Sequence, residues 1–262
     1  MKIAIKKFKI NNIAFRLAPF VIPVFLLFLW QITTTLKIVP SNIFPTISSV
    51  ISITIELLKN GQLESNILIS TERAFSGLII GGSLGFLLGI VNGLSKWSYT
   101  FLDSTIQMIR TIPHLSLLPL IVIWFGVSEI GKVFLVSLGV LFPIYINTLA
   151  GIRGIDPDLR EMGNVYGLKG ISLFKEIIFP AALPSILIGF RYALGNMWIT
   201  LIVAETIAAN SGIGYMATNA REFMQLNIIV LSIIIYAVLG KMSDIIAKLL
   251  ENHFLFWYFA NK

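Results

Sequence analysis

Gly151-Ile-Arg-Gly-Ile-Asp-Pro-Asp-Leu-Arg-Glu-Met-Gly-Asn-Val-Tyr-Gly-Leu-Lys-Gly-Ile-Ser-Leu-Phe-Lys-Glu-Ile-Ile-Phe-Pro180 is a polar interruption between two long apolar runs. Asp156 followed by Pro157 reads as a helix start. The carboxylate accepts from a free backbone N–H, and proline at the first helical position gives up a hydrogen bond that is absent there anyway. Gly167 and Gly170 can take positive φ and end that helix. Ser172 then caps a second short helix, Leu173 to Ile178, which Pro180 closes. The expected shape is helix, tight glycine turn, helix, with Arg160, Glu161, Lys169 and Lys175 exposed to water.

On either side the chain is too apolar for a soluble fold. It is 56% hydrophobic and 13% charged, where a soluble domain of this size is about one-quarter charged. The apolar residues come in runs, and a spanning helix takes ~20 of them. Runs fall at about 17–36, 74–94, 99–125, 133–150, 184–207 and 228–249. The third is interrupted by Arg110, Pro113, His114 and Pro119, and the fourth contains Pro143. The fold class is therefore all-α, a polytopic transmembrane bundle of about six spans. Ile47, Ile51, Ile55 and Leu58 recur at helical spacing and suggest a short interfacial helix between the first two spans. Residues 1–16 read as a basic tail, 17–255 as the transmembrane domain including the loop 151–180, and 256–262 as a second tail. A basic tail before an apolar run also describes a signal peptide. This run is too long, and Lys37-Ile38-Val39-Pro40 follows it in place of a small-residue cleavage site, so it stays as an anchor.

Charge placement orients the bundle. The net charge of +7 could mark a nucleic-acid binder, but in so apolar a chain it reads as the lysine and arginine excess of cytoplasmic loops. With the amino terminus inside, Lys2, Lys6, Lys7, Lys9, Arg16, Lys96, Arg153, Arg160, Lys169, Lys175, Lys248 and Lys262 are cytoplasmic. Lys37, Lys59, Arg73, Lys132 and Arg221 fall outside or near the outer ends. The bias puts both termini in the cytoplasm. The chain has no cysteine, which excludes disulfides and thiolate metal sites.

In the second span Gly77, Gly81, Gly85, Gly89 and Gly93 recur every four residues, with Gly82 beside them. On a helix they form a flat stripe that lets another backbone approach closely. Each would weaken a helix in water by roughly 1 kcal/mol relative to alanine, but in lipid the backbone has no other way to satisfy its hydrogen bonds. Packing inside one bundle is the simpler reading, and a dedicated dimerisation seam the other.

The loop 151–180 resembles the cytoplasmic loop of the permeases of binding-protein-dependent ABC importers. Their pattern is Glu-Ala-Ala, three residues, Gly, nine residues, Ile, one residue, Leu-Pro. Here Glu161-Met162-Gly163, Gly167, Ile177 and Phe179-Pro180 keep that spacing. Met162 and Gly163 replace the alanines and Phe179 the leucine, and a glycine at 163 would loosen its helix. The resemblance runs from about Pro40 to Trp257 and looks closest to the permeases for aliphatic sulfonates, taurine and nitrate. It is carried by Ile112-Pro113, Leu118-Pro119, Trp124-Phe125-Gly126, Phe142-Pro143, Pro180 to Ser185, Gly189-Phe190-Arg191, Ala204-Glu205 and Ser211 to Tyr215. It implies that Arg160, Glu161, Met162, Gly163, Gly167, Leu168, Ile177 and Pro180 dock into a separate ATPase subunit. ATP and Mg²⁺ would sit on that partner, and this chain would bind no cofactor. The resemblance also implies a homodimer, an external solute-binding protein and a lipid surround, with no nucleic acid. Reaction chemistry is absent from this picture; the chain supplies a path and a coupling element.

Charges inside the apolar runs complete the reading. Arg110, Arg191 and Glu205, with His114 at the proline break, are candidate pathway residues. Arg191 and Glu205 are fourteen positions apart, about 21 Å along a helix, so they do not pair, and Glu205 should lie near the outer end. The arginines either attract an anionic solute or hold helices together and snorkel, the second being the commoner arrangement. A lone His114 lacks neighbours at ligand spacing, so no metal is expected. Gly126-Val-Ser-Glu-Ile-Gly-Lys132 resembles a phosphate loop, but Val133 stands where a Ser or Thr would reach Mg²⁺, and it lies between spans. An intramembrane hydrolase finds no His-Glu-x-x-His. A secondary transporter or channel built on the proline-broken helices is the remaining alternative, and the loop 151–180 argues against it.

Overall fold

Long apolar runs leave the backbone no partner but itself, so the chain folds as helices throughout. The computed structural model describes residues 12–40 and 43–259, and every regular element among them is helical. In order these are α1 (Asn12–Thr35), α2 (Ile47–Lys59), α3 (Gln62–Leu94), α4 (Lys96–Arg110), α5 (His114–Phe125), α6 (Glu129–Arg153), α7 (Pro157–Val165) and α8 (Ile171–Leu173). A π-turn, Phe174–Ile178, then leads into α9 (Phe179–Ala208), α10 (Ile213–Glu222), α11 (Leu226–Phe254) and α12 (Phe256–Phe259). Among the described residues, four stretches are long and apolar enough to cross a membrane: Gln62–Leu94, Glu129–Arg153, Ile171–Ile207 and Leu226–Phe254. Taking α1 as one crossing and α4 with α5 as another gives six. Lys2, Lys6, Lys7 and Lys9 lie outside the described residues, as does Lys262.

Three span boundaries differ from the sequence reading. The second span begins at Gln62, twelve positions before the apolar run, because the polar residues of its first turns have partners inside the protein. The third apolar stretch is two helices. Pro113 cannot continue α4, and Thr111–Pro113 separate it from α5, which tolerates Pro119 inside. The fifth does not start afresh after Pro180. The i→i+5 turn, in which Phe179 N–H donates to Phe174 O, accommodates a residue without a donor, and the helix passes through Pro180 into α9.

α6 is the centre of the bundle, with Leu135, Val136, Val140 and Tyr145 fully buried. The glycine stripe of α3 lies directly on it. A Cβ on Gly81 or Gly85 would overlap the carbonyl of Ser137 or Leu141, and on Gly89 or Gly93 it would come 2.6 Å from Thr148 Cβ or 2.8 Å from Ile152 Cβ. Gly77 likewise abuts Val136. α3 and α6 therefore run parallel at backbone contact, and the stripe serves packing within the chain. On its other side α6 meets α9 through glycines of both helices: Gly139 against Thr200, Gly151 against Ala182, and Gly189 against Asn147. α11 packs outside α9, joined by a hydrogen bond from Trp198 Nε1 to Ser243 Oγ at 2.8 Å.

α2 lies across the end of the bundle with Val50 and Leu57 turned in towards Ile213, Met216 and Leu231, while Ile51, Ile55 and Leu58 stay exposed. α1 reaches the rest of the protein through Trp30, whose Nε1 donates to Pro45 O at 2.9 Å. The bundle thus has a hook end, where Leu94, Arg153, α7 and Phe254 gather, and a far end at Gln62, Glu129 and α10.

Candidate functional site

α7 is a short helix whose two ends are both closed by its own sequence. Asp156 Oδ1 accepts from Asp158 N–H at 3.0 Å, a cap worth ~1 kcal/mol, and Pro157 occupies the first helical position. At the other end Leu168 N–H donates to Gly163 O at 2.9 Å and Gly167 N–H to Asn164 O at 3.0 Å, the paired bonds of a Schellman stop. Gly167 has φ +81°, a conformation side-chain-bearing residues adopt only at a cost. Ser172 does not cap the second limb. Its hydroxyl donates to Lys169 O and accepts from Lys169 N–H, which tightens the turn, and Gly170 precedes the helix instead.

The hook is held to the bundle by Arg160, and its own two limbs meet at Gly163. Arg160 Nη2 donates to Ile152 O in the last turn of α6. Gly163 is buried where α7 crosses the second limb, and a Cβ there would lie 2.6 Å from Leu173 Cδ1 and closer still to Ile177. The glycine expected to loosen the helix is thus the point that lets the two limbs touch. Ile177 and Pro180 lie on the returning limb, and Leu168 sits half-buried beyond the turn. Outward the hook presents Glu161 and an apolar tip: Leu159, Met162, Val165 and Tyr166 are exposed, the last two at 81% and 79%. This apolar tip lies past the end of the spanning helices, beside the exposed Glu161 and Lys169.

The four candidate pathway residues do not converge. Arg110 is exposed in the last turn of α4. His114 opens α5 edge-on to Phe142 at 6.3 Å between ring centroids. Arg191 pairs with Asp244 at 2.6 Å and Glu251 at 3.4 Å. Glu205 is fully buried at the far end, where its carboxylate accepts from Arg73 at 2.8 Å, Ser70 Oγ at 2.8 Å, Gly214 N–H at 2.9 Å and Tyr236 Oη at 3.1 Å.

Arg73 also donates to Glu129 at 2.5 Å and 2.7 Å and to Ser211, and Glu129 binds Lys132 at 2.8 Å. Arg73 and Lys132, expected outside or near the outer ends, lie at the far end as buried members of a network that joins α3, α6, α9, α10 and α11. The would-be phosphate loop supplies part of it, since Glu129 and Lys132 form the first turn of α6. A second polar knot ties α4 down near the hook end: Asn92 Nδ2 donates to Tyr145 Oη at 2.8 Å, and Tyr145 Oη to Asp103 Oδ1 at 2.6 Å. Sequence reading placed Arg73 by its charge alone and passed over Asp244. The available signal was the rule that a buried charge in a span needs an opposite charge nearby.

The bundle carries an exposed hook, closed at both ends, between its fourth and fifth crossings. The model of the family described as the binding-protein-dependent transport system inner membrane component matches residues 81–255, and the chain belongs to that family. It is 52% identical over 242 residues to the aliphatic sulfonates transport permease protein SsuC of Escherichia coli K12, covering 92% of each. To the protein of the same name from Bacillus subtilis 168 it is 42% identical over 236 residues, covering 90% of this chain and 86% of that one. A chain of the MetNI methionine ABC transporter in an inward facing conformation shares the fold, with a TM-score of 0.54 at 17% identity over 74% of this chain and 96% of that one. The chain is a multi-pass inner-membrane permease subunit of an ABC importer, not an enzyme, and it works with an ATPase and a solute-binding protein.

Proposed function

We propose that this permease forms the membrane path for aliphatic sulfonates and that it is driven through the hook 156–180. The rigid, apolar-tipped hook carries the mechanical half of the reading. Its capped helix, Schellman stop and Gly163 crossing can transmit a push from a subunit bound at Met162, Val165 and Tyr166, where a floppy loop would absorb it. The substrate half is supported by the 52% identity to a protein named for aliphatic sulfonates. In this reading the hook end and both termini are cytoplasmic, two copies assemble, and ATP with Mg²⁺ binds the partner ATPase. The exposed apolar flanks of α1, α3 and α11 meet lipid. Arg110 and His114, at the break between α4 and α5, stand beside the route.

The test is uptake of labelled ethanesulfonate by membranes carrying this permease with its ATPase and binding protein. ATP-dependent uptake is expected. Uptake of other anions but not of any sulfonate would overturn the substrate, and uptake that continues without the ATPase would overturn the drive.

A further inference from the structure

Arg191 and Asp244 make an ion pair, 2.6 Å long, in a place where a lipid-facing surface would not tolerate one. Its depth follows from packing. Gly189 abuts Asn147 and the Pro143 carbonyl, and Thr200 abuts Gly139, so Arg191 lies level with the middle of α6. Yet the pair is not buried, with side chains 39% and 29% exposed. It opens into a groove of about 520 Å³ between α9 and α11, lined in part by Gly195, Asn196, Gly240 and Ser243. Along α11 the polar stripe continues. Lys241 and Lys248 approach Asp244 at 3.1 Å and 3.5 Å, and Glu251 reaches Arg191 at 3.4 Å. The interior of the bundle is on the other side of α9, where Ala193, Leu194, Met197 and Leu201 are buried. Hydrocarbon offers such groups no hydrogen bonds, and charged side chains of spanning helices face protein or water.

We infer that the α9–α11 groove is a water-filled wall of the solute path and that small anions pass along it. The inference rests on the importer reading above. The lining itself sets Arg191 against Asp244 and Glu251, and the exposed Lys241 and Lys248, at the rim beside Asp244, bring this face to a single positive excess. A free guanidinium would grip a sulfonate with two parallel hydrogen bonds. Arg191 instead gives Nε and Nη2 to Asp244 Oδ1, at 3.1 Å and 2.6 Å. The wall therefore attracts an anion through the exposed lysines and does not trap it, which suits a surface that solute must leave.

The chain has no cysteine, so single substitutions report directly. Asn196→Cys falls at an exposed and Gly240→Cys at a half-buried position of the groove, and a Cβ on Gly240 meets nothing within 4 Å. Ile233→Cys and Leu87→Cys, on exposed apolar faces, serve as lipid-facing controls. The assembled transporter in membrane vesicles is treated with a membrane-impermeant thiosulfonate reagent, and sulfonate uptake is measured on the same vesicles. Groove cysteines should react about tenfold or more faster than the controls, because the reagent needs water to reach and ionise the thiol. Millimolar ethanesulfonate should slow them severalfold. Groove cysteines as inert as the controls, in vesicles that still take up sulfonate, would overturn the inference and leave the importer reading intact. Reaction that no transported solute slows would overturn it too, marking a crevice off the path. Protection by a different anion, without sulfonate uptake, would uphold the wall and refute the substrate.

Discussion

Arg73 and Glu205 are 132 positions apart in sequence and 2.8 Å apart in the fold. Both are almost fully buried, and the arginine holds Glu129 and Ser211 as well. This one guanidinium joins α3 to the start of α6, the end of α9 and the turn that leads into α10. Removing one member of such a set leaves the others desolvated and unpaired, at a cost of about 3–5 kcal/mol. Arg73→Met is therefore expected to lower the thermal midpoint of the detergent-solubilised complex sharply. Glu205→Gln should do less harm, since an amide oxygen still accepts from Gly214 N–H and Arg73 keeps Glu129. Equal losses for the two would show that Arg73 is not the hub.

The α3 stripe divides into positions that tolerate a methyl group and positions that do not. Gly81→Ala and Gly85→Ala would drive a Cβ into a backbone carbonyl of α6, which has no rotamer to escape by, so helix separation and poor recovery of folded protein are expected. Gly82→Ala meets side-chain methyls alone, Ile144 Cδ1 at 3.1 Å and Val140 Cγ1 at 3.8 Å, and should be accepted. Gly195→Ala enters open space, and its gain in helix propensity, ~1 kcal/mol in water, should leave folding unharmed. Yields of folded membrane protein across the four variants check the order.

At the hook, Gly167→Val separates coupling from folding. Its Cβ would meet nothing within 4 Å, but φ is +81°, and a residue forced into that left-handed region costs about 1–2 kcal/mol. Valine should unwind the Schellman stop while the spans insert normally. Solute-stimulated ATP hydrolysis by the complex is expected to fall at unchanged membrane abundance. Undiminished stimulation would show that the turn is not part of the drive.

Much of this was legible from residues alone, and the exceptions share a cause. Asp156-Pro157 and Gly167 announced a capped helix and its stop because caps are local chemistry. Spacing of the glycines identified the α3 face that packs. Helix ends were misjudged where hydropathy and backbone part company: Gln62 to Arg73 is polar in sequence, yet Ser70 and Arg73 find partners inside the protein and the helix runs on through them. Pro180 looked like a stop because a proline normally removes an i→i−4 bond, and a π-turn evades that rule. Asp244 and Glu129 acquire their importance only from arginines more than fifty positions away, which no spacing rule reveals.

Force from the ATPase entering through α7 is the claim on which the rest turns, and proximity measures it most directly. Tyr166→Cys places a thiol on the exposed tip of the hook, in a chain that otherwise has none. In the assembled importer a short bifunctional thiol reagent should join this position to a cysteine in the cleft of the ATPase, in a yield that changes with ATP. A Tyr166→Cys thiol that reacts with impermeant reagent from the outer face of sealed cells, or never joins the ATPase in an active complex, would contradict the account.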